Sequence, residues 1–147
     1  MRKIEKNISV LIADDDRDFR EFVRVALKKI EPGCNLCQVE DGEELMDYLC
    51  LRGKYQNPEI APAPKLVFLD LNMPKKNGLE ALREIRENPE LRKIPIIMLS
   101  ISEDPKDILQ SYMLGANTFN SKPNSLEALV TTLQAIKKYW CEIAQLP

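Results

Sequence analysis

Three aspartates, a serine and a lysine stand where short apolar runs stop, and through them this chain can do chemistry. Asp14 and Asp15 follow Ser9 to Ala13, Asp70 follows Leu66 to Leu69, Ser100 closes Ile94 to Leu99, and Lys122 follows Thr118 to Ser121. Carboxylates gathered at one point repel one another, so the set is costly unless a cation binds or a proton is retained. With oxygen ligands and neither imidazole nor thiolate, the expected ion is Mg²⁺; the ligands are too few and too scattered for a calcium loop. Carboxylate-held Mg²⁺ is a phosphate-handling device, an opposing Lys122 neutralises a phosphoryl oxygen, and the Ser100 hydroxyl donates to another. A carboxylate oxygen then serves as nucleophile and forms an acyl phosphate. The chemistry indicated is an aspartyl-phosphate site.

These residues meet only if the right elements carry them. Ser9 to Ala13, Leu66 to Leu69 and Ile94 to Leu99 are continuous apolar runs, as in strands buried on both faces; Leu36 to Val39 and a weaker Thr118 to Ser121 complete five. Between them lie helical stripes. Phe19, Phe22, Val23, Ala26, Leu27 and Ile30 share one face, with Asp16 as cap and Pro32-Gly33 as stop. Asp41-Gly42 opens a helix with Leu45, Met46 and Leu49 inward, Asn77-Gly78 one with Leu79, Leu82 and Ile85, and Asp104-Pro105 one that Gly115 ends. A last helix over about 125–143 carries Leu126, Leu129, Val130, Leu133, Ile136, Trp140 and Ile143 on one stripe. Alternating strand and helix predicts an α/β fold: a doubly wound five-stranded parallel sheet of order 2-1-3-4-5 with helices on both faces. Ligands bind outside the carboxyl ends of such a sheet where the winding reverses, between strands 1 and 3, and there Asp14, Asp15 and Asp70 arrive.

The 147 residues predict one domain, with a Pro-containing loop insertion over about 53–64 and no room for an output domain. With 44% hydrophobic and 30% charged residues, a disordered or fibrous chain is excluded. The absence of His removes His triads, bases and metal ligands. A net charge of -2 and a pI of 5.3 argue against a nucleic-acid surface. Arg2, Lys3 and Lys6 precede an apolar stretch too short for a signal peptide, and no window suits a membrane span. The expected compartment is the cytoplasm, with Cys34, Cys37, Cys50 and Cys141 reduced. Cys34 and Cys37 form a C-x-x-C, but no second pair or His completes a zinc site, so structural thiols are expected.

The motifs Val10-Leu11-Ile12-Ala13-Asp14-Asp15-Asp16, Leu69-Asp70-Leu71-Asn72-Met73-Pro74 followed by Gly78, Ser100 closing a strand, and Lys122-Pro123 together resemble the receiver domain of two-component response regulators. The resemblance implies that Asp70 is the phosphoacceptor, and that Asp15, Asp70 and the backbone carbonyl of Asn72 hold Mg²⁺, with Asp14 acting through water. It further implies that Ser100 and Lys122 hold the phosphoryl group, that Phe119 and Ser100 form the switch, and that Lys122-Pro123 is a cis peptide. The insertion, the Met73-Pro74-Lys75-Lys76-Asn77-Gly78 loop and the long last helix are similar to single-domain regulators that partner phytochrome-type histidine kinases. The kinase and the downstream target are then other chains, and the protein is a phosphoacceptor switch with at most slow self-catalysed phosphotransfer and dephosphorylation rather than an enzyme. Ile101 departs from the usual small residue after Ser100 and is positioned to crowd the mouth of the site.

Other readings compete. A haloacid-dehalogenase-type aspartyl-phosphatase also places its nucleophile after a strand, but expects Asp where this chain has Asn72. A receiver-like module that works without phosphorylation usually lacks a key residue, and none is missing here. Phe119 reads equally as core, and Lys75 and Lys76 as a solvated loop. The last helix exceeds what the sheet needs, so Tyr139 and Trp140 are candidates for a dimer contact. A homodimer through the fourth helix, fifth strand and fifth helix is expected.

Overall fold

The computed structural model describes residues 8–147, so the basic residues Arg2, Lys3 and Lys6 lie outside the described part. The chain runs β1 (Ser9–Ala13), α1 (Arg17–Ile30), β2 (Asn35–Val39), α2 (Gly42–Leu49), β3 (Leu66–Leu69), α3 (Gly78–Glu87), β4 (Ile96–Ser100), α4 (Pro105–Met113), β5 (Thr118–Ser121) and α5 (Leu126–Lys137). All strand pairings are parallel, in the order β2-β1-β3-β4-β5. The doubly wound sheet expected from the sequence is therefore the one observed.

Alternation along each central strand divides the core in two. Leu11, Ala13, Val67, Leu69, Ile96 and Met98 face α2 and α3, whereas Val10, Ile12, Leu66, Phe68, Ile97 and Leu99 face α1 and α5. Because both faces are covered, β3 and β4 are buried at every residue, and this is why their sequences are unbroken apolar runs. Cys34 packs on the α1 and α5 side and Cys37 on the other; all four cysteines are free thiols. Burial pushes the Cys34 thiol up to about 11, which suits a packing residue and not a reactive one.

The helices begin where the sequence signals them. Asp16 accepts from the N–H groups of Asp18 and Phe19, Asp41 from Glu44, Asp104 from Lys106 and Ser125 from Ala128, while Asn77 and Glu80 form a reciprocal capping box. Three details depart from expectation. β4 starts at Ile96 rather than Ile94, since Pro95 has no N–H for the ladder and contributes only its carbonyl, to Val67 N at 3.0 Å. The last helix is α only to Lys137 and continues as a π-helical segment over Lys138–Ile143, closed by Ala144 N donating to Tyr139 O. Lys137 bonds Glu142 across that five-residue spacing at 2.7 Å, and Glu31 at 3.0 Å. Trp140 packs on the α1 and α5 side of the core, edge to face with Tyr139; Tyr139 alone of the two is exposed. Finally, the insertion is pinned: Tyr48 Oη donates to Pro62 O at 2.8 Å, Tyr55 Oη donates to Glu44 Oε2 at 2.5 Å, and Ala61 is buried. No helix among the described residues is long and apolar enough to cross a membrane.

Candidate functional site

The sheet's own hydrogen bonding sets the positions of the reactive residues. Asp14 N donates to Val39 O at 3.1 Å, Asp70 N to Ala13 O at 3.0 Å, and Lys122 N to Ser100 O at 2.9 Å. Each ladder thus runs one residue past its strand and ends on a residue of the site. Asp14, Asp70 and Ser100 are buried, while Asp15 is exposed at the lip. A cleft of ≈ 390 Å³ opens above them, lined by Asp15, Phe19, Asp70, Asn72, Ile101 and Lys122 among others.

One carboxylate oxygen from each of Asp14, Asp15 and Asp70 lies within 4.8 Å of the others, the only such metal-capable group among the described residues. The donors are hard oxygens, so the set fits a divalent cation of the Mg²⁺ or Mn²⁺ kind and gives a soft metal nothing to bind. Lys122 Nζ bonds Asp14 Oδ2 at 2.9 Å and stands 3.7 Å from Asp70 Oδ2. One ammonium does not balance this much negative charge in a dry site. Burial, then the neighbouring Asp14 carboxylate, push Asp70 up to about 7, with Lys122 opposing. Asp14 is also raised, by burial, despite its bonds from Lys122 and Asp16 N. The charge missing from the pocket is what a bound cation supplies.

Ser100, fully buried at the end of β4, accepts from Ser102 N at 3.1 Å, and its own proton remains for an incoming oxygen. Ser102 Oγ in turn donates to Asp107 Oδ2 of α4 at 2.6 Å. Phe119 is half-buried against the α2 and α3 side of the core, and its N–H donates to Tyr112 Oη of α4 at 3.0 Å. Phe119 is thus one hydrogen bond from α4 and Ser100 two, through Ser102; of α4 itself only Ser111 is buried. The structure therefore brings together Asp14, Asp15, Asp70, Asn72, Ser100 and Lys122, and leaves Phe119 apart on the β5 flank.

Two expectations need correction, at Lys76 and at Lys122–Pro123. Ile101 lines the cleft and is 76% exposed, which puts it at the mouth of the site. Lys75 is solvated as expected, 62% exposed and 3.8 Å from Asp41, whereas Lys76 is half-buried and paired with Glu84. The Lys122–Pro123 peptide is trans, there being no cis peptide bond among the described residues. Two neighbours of the site carried no signal in the sequence. Phe19 reads as core on the α1 stripe, yet its ring lies 4.5 Å from Lys122 Nζ. Arg20 reads as a surface arginine, yet its Nη1 donates to Asp14 O at 2.7 Å and its Nε to Gln38 Oε1 at 3.1 Å.

Known proteins are similar to this chain along nearly their whole length. Response regulator Rcp1 of Synechocystis sp. (strain ATCC 27184 / PCC 6803 / Kazusa) is 36% identical over 138 residues, 94% of this chain and 92% of that protein. A crystal structure of the phosphorylated cyanobacterial phytochrome response regulator RcpA superposes with a TM-score of 0.88 at 35% identity, covering 96% of this chain and 99% of that one. The Mn²⁺-bound form of Rcp1 gives 0.83 at 35% identity over 95% of this chain and 99% of that one. Response regulator RPA3017, from red light signaling of R. palustris, gives 0.89 at 31% identity over 95% and 98%. The profile described as the response regulator receiver domain matches residues 10–134, from the strand that delivers Asp14 and Asp15 to the helix beyond Lys122, and the chain belongs to that family of two-component phosphoacceptor switches.

Proposed function

We propose that Asp70 accepts a phosphoryl group from a partner histidine kinase of the phytochrome type and that the α4, β5 and α5 face reports the change. The observation that carries this reading is the convergence of Asp70 with Asp14, Asp15 and Lys122 at the carboxyl edge of the sheet. In the transfer, an Asp70 carboxylate oxygen forms a bond to phosphorus while the bond from phosphorus to the donor imidazole nitrogen breaks, its electron pair leaving with that nitrogen. Asp15, Asp70 and the Asn72 carbonyl would hold Mg²⁺, with Asp14 helping through water. The ion would neutralise charge developing on the phosphoryl oxygens. Lys122, already between Asp14 and Asp70, exchanges carboxylate for phosphoryl oxygen, and the Ser100 hydroxyl donates to another.

Coupling follows from what Ser100 must give up. Drawing its oxygen toward Asp70 costs the bond from Ser102 N, loosens the Ser102 contact with Asp107, and opens space that Phe119 can enter. The resulting population shift alters a face on which Leu109, Tyr112 and Met113 are exposed, with Tyr139 and Ile143 exposed beyond α5. That face is the proposed homodimer contact and the surface for a downstream target, and the proposed location is the cytoplasm. The chain works as a single receiver with its insertion at 53–64. An aspartyl-phosphatase of the haloacid-dehalogenase type is disfavoured by Asn72, which lines the cleft but cannot act as an acid.

Labelling with a small phosphodonor tests the assignment. The wild-type chain should acquire one phosphoryl group only with Mg²⁺ present, as an adduct cleaved by alkali and hydroxylamine, and Asp70→Asn should acquire none. Equal labelling of Asp70→Asn would sink the assignment of this residue.

A further inference from the structure

We propose that Phe19 is a positioning residue for phosphoryl binding: its ring face, in the first turn of α1, holds the Lys122 ammonium where an incoming phosphoryl group can take it from Asp14. This rests on the assignment of Lys122 to the phosphoryl site, and extends it to a residue that supplies neither a metal ligand nor a hydrogen bond to the phosphoryl group. The ammonium has three neighbours: Asp14 Oδ2 at 2.9 Å, Asp70 Oδ2 at 3.7 Å and the Phe19 ring centroid at 4.5 Å. Its side chain is 10% exposed, so little water competes for its remaining charge. In such a setting the negative face of an aromatic ring is an appreciable attraction and not an incidental contact.

The geometry gives the ring a particular task. Asp14 is both the hydrogen-bonded partner of Lys122 and a member of the cation-binding group. An ammonium attracted only by carboxylates would settle wholly onto them, leaving Asp14 less available to the cation and the ammonium less available to the phosphoryl group. The Phe19 ring attracts it without consuming a carboxylate oxygen. Placement is secured from behind, because Phe19 is 8% exposed and packed in the core cluster of α1 and α5, and its N–H is bonded to the Asp16 cap at 3.2 Å. The same ring also lines the cleft in which Asp70 sits. A side chain that the helical stripe marks as ordinary core therefore has one face in the core and the other under a reacting cation.

The test is a double-mutant cycle read by beryllofluoride, which stands in for the phosphoryl group on the Asp70 carboxylate. Calorimetric titration in saturating Mg²⁺ would compare the wild-type chain with Phe19→Met, Phe19→Tyr, Lys122→Met and both Phe19 substitutions in the Lys122→Met background. Phe19→Met fills a similar volume without a π face and should weaken binding about tenfold, the weight of a largely desolvated cation–π contact. Phe19→Tyr keeps the face and should stay within about twofold of wild type, and in the Lys122→Met background Phe19→Met should have no further effect. Should Phe19→Met fold poorly, Phe19→Leu makes the same comparison. A loss from Phe19→Met that persists undiminished in the Lys122→Met background, or a Phe19→Tyr loss as large as that of Phe19→Met, would show that Phe19 acts only by packing and overturn the proposal. Undiminished binding by Lys122→Met alone would overturn the assignment of Lys122 itself, and the inference with it.

Discussion

Asp14 and Asp70 are two buried carboxylates that share one ammonium, and this imbalance sets how the site responds to protons and cations. Asp70 is pushed from 3.8 to about 7 in the folded chain, by burial first and Asp14 second. A carboxyl group raised in this way favours the folded state fully below the unfolded value, and that contribution is lost as pH rises through the folded value. Asp14, also raised, acts in the same direction. Without divalent cation, thermal unfolding should therefore show lower stability at pH 8 than at pH 5, by roughly 2–4 kcal/mol. Mg²⁺ should restore stability at pH 8, and Asp70→Asn should remove most of the slope; a slope unchanged in Asp70→Asn would contradict this origin. Gly78 is equally sensitive for a steric reason. A Cβ there would stand 2.1 Å from the Asp70 carbonyl oxygen, a contact no side chain can make without moving the backbone of the phosphoacceptor. Gly78→Ala should cost about 2 kcal/mol or more and weaken Mg²⁺ binding measured by calorimetry, whereas substitution at exposed Gly53, which has open space around it, should leave Mg²⁺ binding alone.

Among the elements, α4 is held differently from the rest. The other four α-helices bury at least two apolar side chains each, whereas α4 buries only Ser111 and depends on polar tethers, Asp107 to Ser102 and Tyr112 to Phe119 N. Low burial makes it the helix most easily displaced, which suits a reporter of events at Ser100. Its far end is anchored by Arg86 of α3, which donates to the carbonyls of Gly115, Arg92 and Ile94 and to Asn117 Oδ1, each at 2.9 Å. Asn117 Oδ1 also accepts from Ile96 N, so one side chain joins the end of α3, the start of β4 and the turn after α4. Arg86→Met should cost about 2–3 kcal/mol in chemical denaturation, while leaving phosphodonor labelling of the folded fraction intact. The strand runs, the caps Asp16 and Asp104, the helix openings at Asp41-Gly42 and Asn77-Gly78, and the polar residues at strand ends were legible in the sequence, because each depends on local chemistry or on period. Arg86, Arg20 and the π-helical turn were not. Arginine bonded to carbonyl oxygens leaves no complementary side chain to read, and Lys137, at the start of the π turn, pairs not only with nearby Glu142 but with Glu31, 106 positions away. Phe19 failed for another reason: one residue satisfies the core stripe and the site at once, and the stripe accounts for it completely.

For the molecule as a whole, the exposed apolar residues are concentrated where the proposed function needs a partner. Leu109, Tyr112 and Met113 on α4 and Tyr139 and Ile143 near the end of the last helix are each at least 47% exposed. Sedimentation at tens of micromolar should show a dimer, tightened by beryllofluoride, and Met113→Glu should give a monomer that still binds beryllofluoride. A wild-type monomer both with and without the mimic would remove the homodimer from the proposal. At the other end of the sheet, the bonds that carry Asp14, Asp70 and Lys122 are the last rungs of the ladders that hold the molecule together. Their amide hydrogens should accordingly exchange with solvent as slowly as those of the buried strands, not at the rate of loops. The backbone positions of Asp14, Asp70 and Lys122 then have no private way of coming apart: what can shift within the folded chain is the side chains and α4, while the frame that carries the phosphoacceptor is lost only with the sheet itself.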